Sequence, residues 1–330
     1  MRKTLICGIG NALIDSEYKV TDGELDELKL SKGCMELNDA SNHIHISNSL
    51  TETHGVVKMV PGGSVANSLY TLAQFGVDVS FIGKVANDDK GNSFVNLLDS
   101  VGMRTYINKS SDGITGECLV LITPDHERTM YTHLGISSDL CESDISQEAL
   151  KSTSYVLIEG YLVTSDKTKN VAKHCLDIAN ENNIKKIITL SDPNVISFFR
   201  DSMLELLDKK FDIIFCNKQE ALNISMTGNI DDSIRFLKQY SHEVIVTSGS
   251  DGAYASLGDE MVYERCSEIN PVDLTGAGDM FLAAYLFAKS MNRNLSDSIK
   301  FANTCSGEII RQYGAKLNRS NDYKRLYEKL

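Results

Sequence analysis

No stretch of this 330-residue chain approaches the ~18 consecutive apolar residues that a membrane span requires. The opening "MRKTLICGIGNALID" has a basic pair and an apolar patch too short for the core of a signal peptide. It reads better as a first buried strand and its turn. Positive charge is scarce: 33 Lys and Arg stand against 45 Asp and Glu, a net charge of −12. Nucleic acids and anionic membranes reward a basic face, so neither is expected as a partner. Any phosphate must then be handled by local dipoles, a metal or a few cations. Eight cysteines (Cys7, Cys34, Cys118, Cys141, Cys175, Cys216, Cys266, Cys305) are scattered, with no CxxC pair and no zinc-like spacing. They read as reduced, mostly buried residues of a soluble, cytoplasmic protein. GxxxxGK[ST] occurs nowhere, which excludes a P-loop, and "GIGN" at 8–11 lacks the third glycine of a dinucleotide fingerprint.

What is present is length and hydrophobic patterning. With 42% hydrophobic residues the chain can bury a large core, as one large domain with or without a smaller appendage. "SVANSLYTLAQFG" carries Val65, Ala66, Leu69, Leu72 and Ala73 at helical spacing, with Gly76 as its stop. "VDVSFIG" alternates as a strand does. "YVLIE" (155–159), "KIITL" (186–190), "DIIFC" (212–216) and "EVIVT" (243–247) are nearly continuously apolar, separated by helical or polar segments. That pattern predicts a parallel sheet covered by helices on both faces, with ligands beyond the carboxyl ends of its strands.

Two segments break the rhythm. Residues 15–60 are polar and mixed, and residues 103–135 read as antiparallel strands joined by turns at "SSDG" and "PDHE". Excursions this long inside a compact domain are usually functional, and the two are expected to pair into a small lid over a cleft. The division expected is therefore 1–14, 61–102 and 136–330 for a large α/β domain, with 15–60 and 103–135 forming the lid. The bland alternative is a pair of surface excursions. "HIH" at 43–45 has no obvious third metal ligand and is expected in a solvated loop.

Three motifs carry chemistry. In "DLTGAGDMF" (273–281), Gly276, Ala277 and Gly278 precede an apolar helical run. Backbone N–H groups at a helix start attract anions, and glycines leave room for a phosphate. Asp279 in the same turn is placed either to accept a hydroxyl proton beside a transferring phosphoryl group or simply to cap the helix. In "PGGSVANSL" (61–69), Gly62 and Gly63 would let a ligand touch backbone amides and Asn67 could bond a hydroxyl; a tight turn before a helix explains them equally well. In "NKQEA" (217–221), Asn217 and Glu220 share a helix face at a strand's end, suited to water-mediated Mg²⁺ or to helix-start polarity alone. "VTSGSDGAY" (246–254) likewise ends a strand with small donors suited to phosphate or ribose.

Together these residues resemble the ribokinase family of sugar and nucleoside kinases, also called the phosphofructokinase-B family. "GGSVANSLYTLAQFGVDVSFIGKVANDDKG" (62–91) and "DLTGAGDMF" match its two signature regions in order, and "FANTCSGEIIRQYGA" (301–315) falls in its nucleotide segment. The resemblance spans nearly the whole chain. It implies a three-layer α/β/α, Rossmann-like (ribokinase-like) domain with a small β-sheet lid, ATP as donor and Mg²⁺ as cofactor. It further implies that Asp279 is the catalytic base, with Gly276, Ala277 and Gly278 as the anion hole. Asp15, Gly63 and Asn67 would grip the acceptor. Asn217, Thr247, Gly249, Gly252 and Asn303 would serve the nucleotide, and Glu220 would hold Mg²⁺ through water. Asp273 matches a position that shapes a monovalent-cation loop, so K⁺ is a further expectation.

Within the family, "GIGNALID" and the long insertion before "PGGS" resemble adenosine kinases and their bacterial relatives. The expected activity is ATP-dependent phosphorylation of a primary hydroxyl on a ribose-bearing molecule, adenosine 5′-OH foremost, by a monomer or homodimer. The rivals are a sugar kinase of the ribokinase or fructokinase kind and a catalytically silent nucleoside-binding paralogue.

Overall fold

Consecutive residues of each central strand serve opposite cores. Ile6, Leu157, Ile187, Ile213 and Ile245 enter one apolar cluster, while Cys7, Val156, Ile188, Ile214 and Val244 enter the other. A strand with both faces buried has no polar side to show, which is why these segments read as unbroken apolar runs. In the computed structural model, which describes residues 4–33, 35–125 and 127–330, they form a nine-stranded sheet. Its order is Glu260–Glu264, Ala253–Leu257, Ser241–Thr247, Phe211–Asn217, Lys185–Thr189, Thr153–Glu159, Thr4–Ile9, Val79–Ala86 and Arg104–Ser110. The first two form an antiparallel hairpin at one edge; the other strands run parallel.

Helices Ser64–Gln74, Ala277–Ser290, Leu295–Ile309 and Ser320–Tyr327 cover one face, and Asp166–Glu181, Pro193–Leu207, Lys218–Ser225 and Ile230–Leu237 cover the other. The result is a three-layer α/β/α body. From Thr4–Ile9 the chain builds outward to Val79–Ala86 on one side, and later from Thr153–Glu159 on the other. The strand order therefore reverses between Thr4–Ile9 and Thr153–Glu159. A crevice opens at the carboxyl ends of strands at such a point.

A second sheet has the order Met35–Leu37, Arg128–Gly135, Thr115–Ile122, Leu13–Lys19, Lys58–Pro61. Its outer face packs Tyr18, Leu119, Leu121 and Tyr131 against Leu25, Ile46 and Leu50 of helices Asp22–Glu27 and Ala40–His54. Its inner face, on alternate residues, presents Leu13, Asp15, Cys118, Met130 and Leu134 to a cavity.

Three expectations need correction. Residues 104–110, expected with the small sheet, pair in parallel with Val79–Ala86 at the edge of the large one. An edge strand is half-exposed, so "RTYINKS" carries the mixed pattern of a solvated antiparallel strand. The "SSDG" turn accordingly carries the chain from one sheet to the other. "HIH" is helical, and His43 is buried: His43, Ile46 and Leu50 make the buried stripe of a polar helix. The antiparallel hairpin at 253–264 was not read from the sequence. Cys7, Cys118, Cys175, Cys216 and Cys305 are buried free thiols and Cys141 and Cys266 are half-buried. Cys34, and His126 in the "PDHE" turn, lie outside the described residues. Among the described residues no helix is long and apolar enough to cross a membrane.

Glu117 ties the small sheet to its surroundings. Its carboxylate accepts from Ser16 Oγ (2.5 Å), lies 2.9 Å from His43 Nε2 and pairs at 2.6 Å with Lys90 of helix Asp89–Ser100. Burial works to raise its pKa, but His43, Lys90 and Ser16 together hold it down at about 2. A carboxyl depressed in the folded state contributes stability above its ordinary pKa and loses it as the pH falls through the folded value. Glu117→Gln should therefore lower the urea midpoint at neutral pH. The gap from wild type should narrow below about pH 5 and close only as the pH falls through about 2. A gap that is constant with pH would remove Glu117 ionisation from the stability of this joint.

Candidate active site

The helix Ala277–Ser290 exists because Met280–Ala288 is a continuous buried apolar run against helices Ser64–Gln74 and Leu295–Ile309. Its start is set by Gly276, whose φ of 76° is left-handed and whose Cβ, were there one, would fall 2.5 Å from Ala315 Cα. Gly276 is thus demanded by the backbone. At Gly278 a Cβ would meet nothing within 4 Å, so here the missing side chain leaves open space beside the helix start. The cap position is Gly276, with no side-chain cap bond. Asp279 instead reaches across to the neighbouring helix, accepting from Ser64 Oγ (2.7 Å) and Asn67 Nδ2 (3.0 Å). Burial raises the Asp279 pKa, against the pull of those two hydrogen bonds and of Lys316.

The glycine pair before helix Ser64–Gln74 is equally constrained. A Cβ at Gly62 would lie 2.3 Å from the Asp15 carboxylate, and one at Gly63 (φ 91°) would fall 2.4 Å from Asn11 O. Asp15 is pushed up to about 6 by burial, with Lys316 opposing and Asp279 adding to the rise. Lys316 Nζ donates to Pro61 O (2.6 Å) and to Asn67 Oδ1. At the reversal point of the sheet, Glu159 accepts from Asn11 Nδ2 (2.9 Å) and Val65 N (3.2 Å); burial lifts it to about 7 despite those donors.

These groups surround a cavity of about 600 Å³ between the two sheets. The large body contributes the polar Ser64, Asn67, Glu159 and Asp279 to its lining. The small sheet contributes the apolar Leu13, Met35, Leu37, Met130 and Leu134 beside the polar Asp15 and Thr132. Arg128 lines the cavity too, one-tenth exposed, with Nε 2.7 Å from Asp273 Oδ1, Nη1 3.7 Å from Glu17 Oε1 and the guanidinium over the Tyr313 ring. One cavity is thus lined by a carboxylate, a helix start and a guanidinium, groups suited to moving a proton beside a transferring anion.

Of the residues expected from the sequence, the structure brings Asp15, Gly63, Asn67, Asp273, Gly276 and Asp279 to the cavity. Asn217 and Glu220 form a capping box instead: Asn217 N and Nδ2 donate to the Glu220 carboxylate (3.0 and 2.6 Å) and Glu220 N donates back to Asn217 Oδ1 (2.8 Å). Burial lifts Glu220 to about 8. Glu159 pairs in register with Thr189, and Asn217 with Thr247, so Asn217 and Thr247 lie farther along the same carboxyl edge. Gly249 (φ 57°) has open space around it, whereas Gly252 and Asn303 both pack on the backbone of Glu264.

Asp273 does not fit a cation. Arg128 Nε and Thr275 N (2.9 Å) both face its Oδ1, and Gly314 N (2.6 Å) donates to its Oδ2. Three donors, one of them charged, already occupy the carboxylate. Ser64, Arg128, Glu159 and Lys316 were missed in the sequence. Ser64 adjoins a motif and was within reach; the other three are lone charged residues whose partners lie far along the chain.

A family model described as pfkB family carbohydrate kinase matches residues 31–321. The adenosine kinase of Dictyostelium discoideum is 27% identical over 346 residues, covering 96% of this chain and 97% of its own. The ribokinase of Lactococcus lactis is 28% identical over 268 residues, 78% of this chain and 82% of that one. The crystal structure of adenosine kinase from Sinorhizobium meliloti superposes with a TM-score of 0.92 at 28% identity, covering 99% of this chain and 100% of that one.

The two helix-start glycines separate experimentally. Gly276→Ala forces an L-residue into the left-handed region, at ~1–2 kcal/mol before any clash with Ala315. Its thermal midpoint should fall. Gly278→Ala adds a methyl inside a helix without a clash and should hold or raise stability by ~0.5–1 kcal/mol. Equal loss in the two variants, followed by circular dichroism melts, would contradict these separate roles.

Proposed function

The chain belongs to the pfkB family of carbohydrate kinases, and on that footing we propose that it transfers the γ-phosphoryl group of ATP to the 5′-hydroxyl of adenosine, giving AMP. At the coarser level it is a phosphotransferase acting on an alcohol group of a sugar or nucleoside. The observation that carries the finer reading is the set of apolar residues that the small sheet adds to a polar cavity. A free pentose needs only the polar groups, whereas a nucleoside also places a flat, weakly polar base against Leu13, Met35, Leu37, Met130 and Leu134. A sugar kinase remains the second reading, favoured by the ribokinase relative at a similar identity.

The primary hydroxyl lies against Asp279, which accepts its proton as the oxygen attacks the γ-phosphorus and the bond to ADP breaks. A carboxylate with a raised pKa is the stronger base for that transfer. Asp15 and Asn67 grip the vicinal hydroxyls and aim the acceptor. The open backbone at Gly278 faces charge developing on the phosphoryl oxygens, and the Arg128 guanidinium adds positive charge to the cavity wall. Thr247, Gly249, Gly252 and Asn303 serve the nucleotide farther along the carboxyl edge. The small sheet acts as a lid that excludes water from the transfer.

Each Glu220 oxygen accepts one hydrogen bond and keeps a lone pair free. That suits Asn217 and Glu220 to holding Mg²⁺ through water. Bound there, the ion neutralises phosphate charge. The chain derives no step from K⁺, since Asp273 is already taken up by donors.

ADP release should be fastest with adenosine, slower with 2′-deoxyadenosine and slowest with ribose or fructose. A site built to bond a hydroxyl loses ~1–3 kcal/mol or more when that hydroxyl is missing. Asp279→Asn should keep its melting temperature and lose ~10²–10⁴-fold in kcat. Brisk turnover of a free sugar with none of adenosine would transfer the case to the sugar kinase. Near wild-type activity of Asp279→Asn would remove Asp279 from the chemistry.

A further inference from the structure

The side-chain amide of Asn67 has two ends of nearly equal shape, and only one of them is compatible with a carboxylate. Its Nδ2 donates to Asp279 Oδ2, whereas Oδ1 in that place would repel it. The opposite end of the amide meets Lys316 Nζ, which can only donate. Pro61 O holds the same ammonium from a second side at 2.6 Å, and the Tyr70 ring lies 5.6 Å away. The turn that carries Lys316 is itself fixed to the catalytic helix start. Gly314 N donates to Asp273, and Ala315 packs against Gly276.

We propose that Lys316 is a positioning residue for phosphoryl transfer: its ammonium locks the Asn67 amide with the N–H toward Asp279 and supplies the positive charge beside which Asp279 stays ionised. The proposal rests on Asp279 being the base. Lys316 does not line the cavity, so it acts through Asn67 and through its field, not by touching substrate. The charged groups around it are Asp15 from the small sheet, Asp279 from the helix start and Lys58 from strand Lys58–Pro61. Those around Asp279 are Lys316, Asp15 and Glu159. Burial pulls Lys316 down to about 8 while Asp15 and Asp279 resist. Deprotonation removes both the lock and the charge, and the amide is then free to turn.

The test is the pH dependence of kcat and KM for wild type, Lys316→Met and Lys316→Arg, with Asp279→Asn alongside. Wild type should show an acid limb from Asp279 and an alkaline limb near pH 8. Lys316→Met should lose ~10²-fold in kcat through misalignment of the base, with a smaller rise in KM because Asn67 also grips the acceptor. Its acid limb should move up by about one pH unit, the effect of losing a nearby opposite charge. Lys316→Arg keeps the charge, so its acid limb should stay in place, and its alkaline limb should vanish because a guanidinium does not titrate there. An unmoved acid limb in a folded Lys316→Met overturns the proposal. If that variant does not fold, an alkaline limb that persists near pH 8 in Lys316→Arg overturns it, as does a wild type without that limb. Full activity in Asp279→Asn would sink the base assignment itself. An inactive Asp279→Asn beside unmoved limbs in the lysine variants would sink only the role of Lys316.

Discussion

A carboxylate held away from bulk water must be surrounded by donors, and around Asp279 that requirement organises the site. Ser64 and Asn67 supply the hydrogen bonds, which fixes the spacing between helices Ser64–Gln74 and Ala277–Ser290. The continuous apolar run Met280–Ala288 then packs those helices together, so the same contact serves core and chemistry. Gly276 must be left-handed for the helix to begin where Asp279 faces its donors, and the turn through Ala315 must lie close for Gly276 to be glycine.

The sheet decides where that carboxylate sits. Strands Thr4–Ile9 and Thr153–Glu159 are neighbours in space and far apart in sequence, with Asn11 and Glu159 meeting just past their ends. The small sheet begins at Leu13, almost immediately after the first strand, so it is anchored at the reversal point and its inner face meets the cavity. The mixed lining of the cavity is a consequence of chain order as much as of composition.

Much of this was legible in the sequence because the signals were local. Strands with two buried faces leave unbroken apolar runs, and the glycines flanking Asp279 and Asn67 sit within a few residues of the groups they serve. Arg104–Ser110 misled because an edge strand shows the same half-exposed pattern in either sheet. Arg128, Glu159 and Lys316 were hidden for a different reason. A single charged residue carries no period, and its meaning lies in partners such as Asp273, Asn11 and Asn67, brought near only by the fold. The Asn217–Glu220 pair shows the converse: their spacing announces a helix cap, and the cap is what the geometry contains.

The ion pair between Arg128 and Asp273 joins the two sheets, since one residue belongs to the small sheet and the other to the loop before the catalytic helix. Arg128 Nη1 also lies 3.7 Å from Glu17 Oε1, so the guanidinium has carboxylates on two sides. Separating the sheets would leave Arg128 with Glu17 and take Asp273 from its cation. This joint therefore has an electrostatic cohesion that owes nothing to apolar packing, and the larger loss on parting falls on the loop.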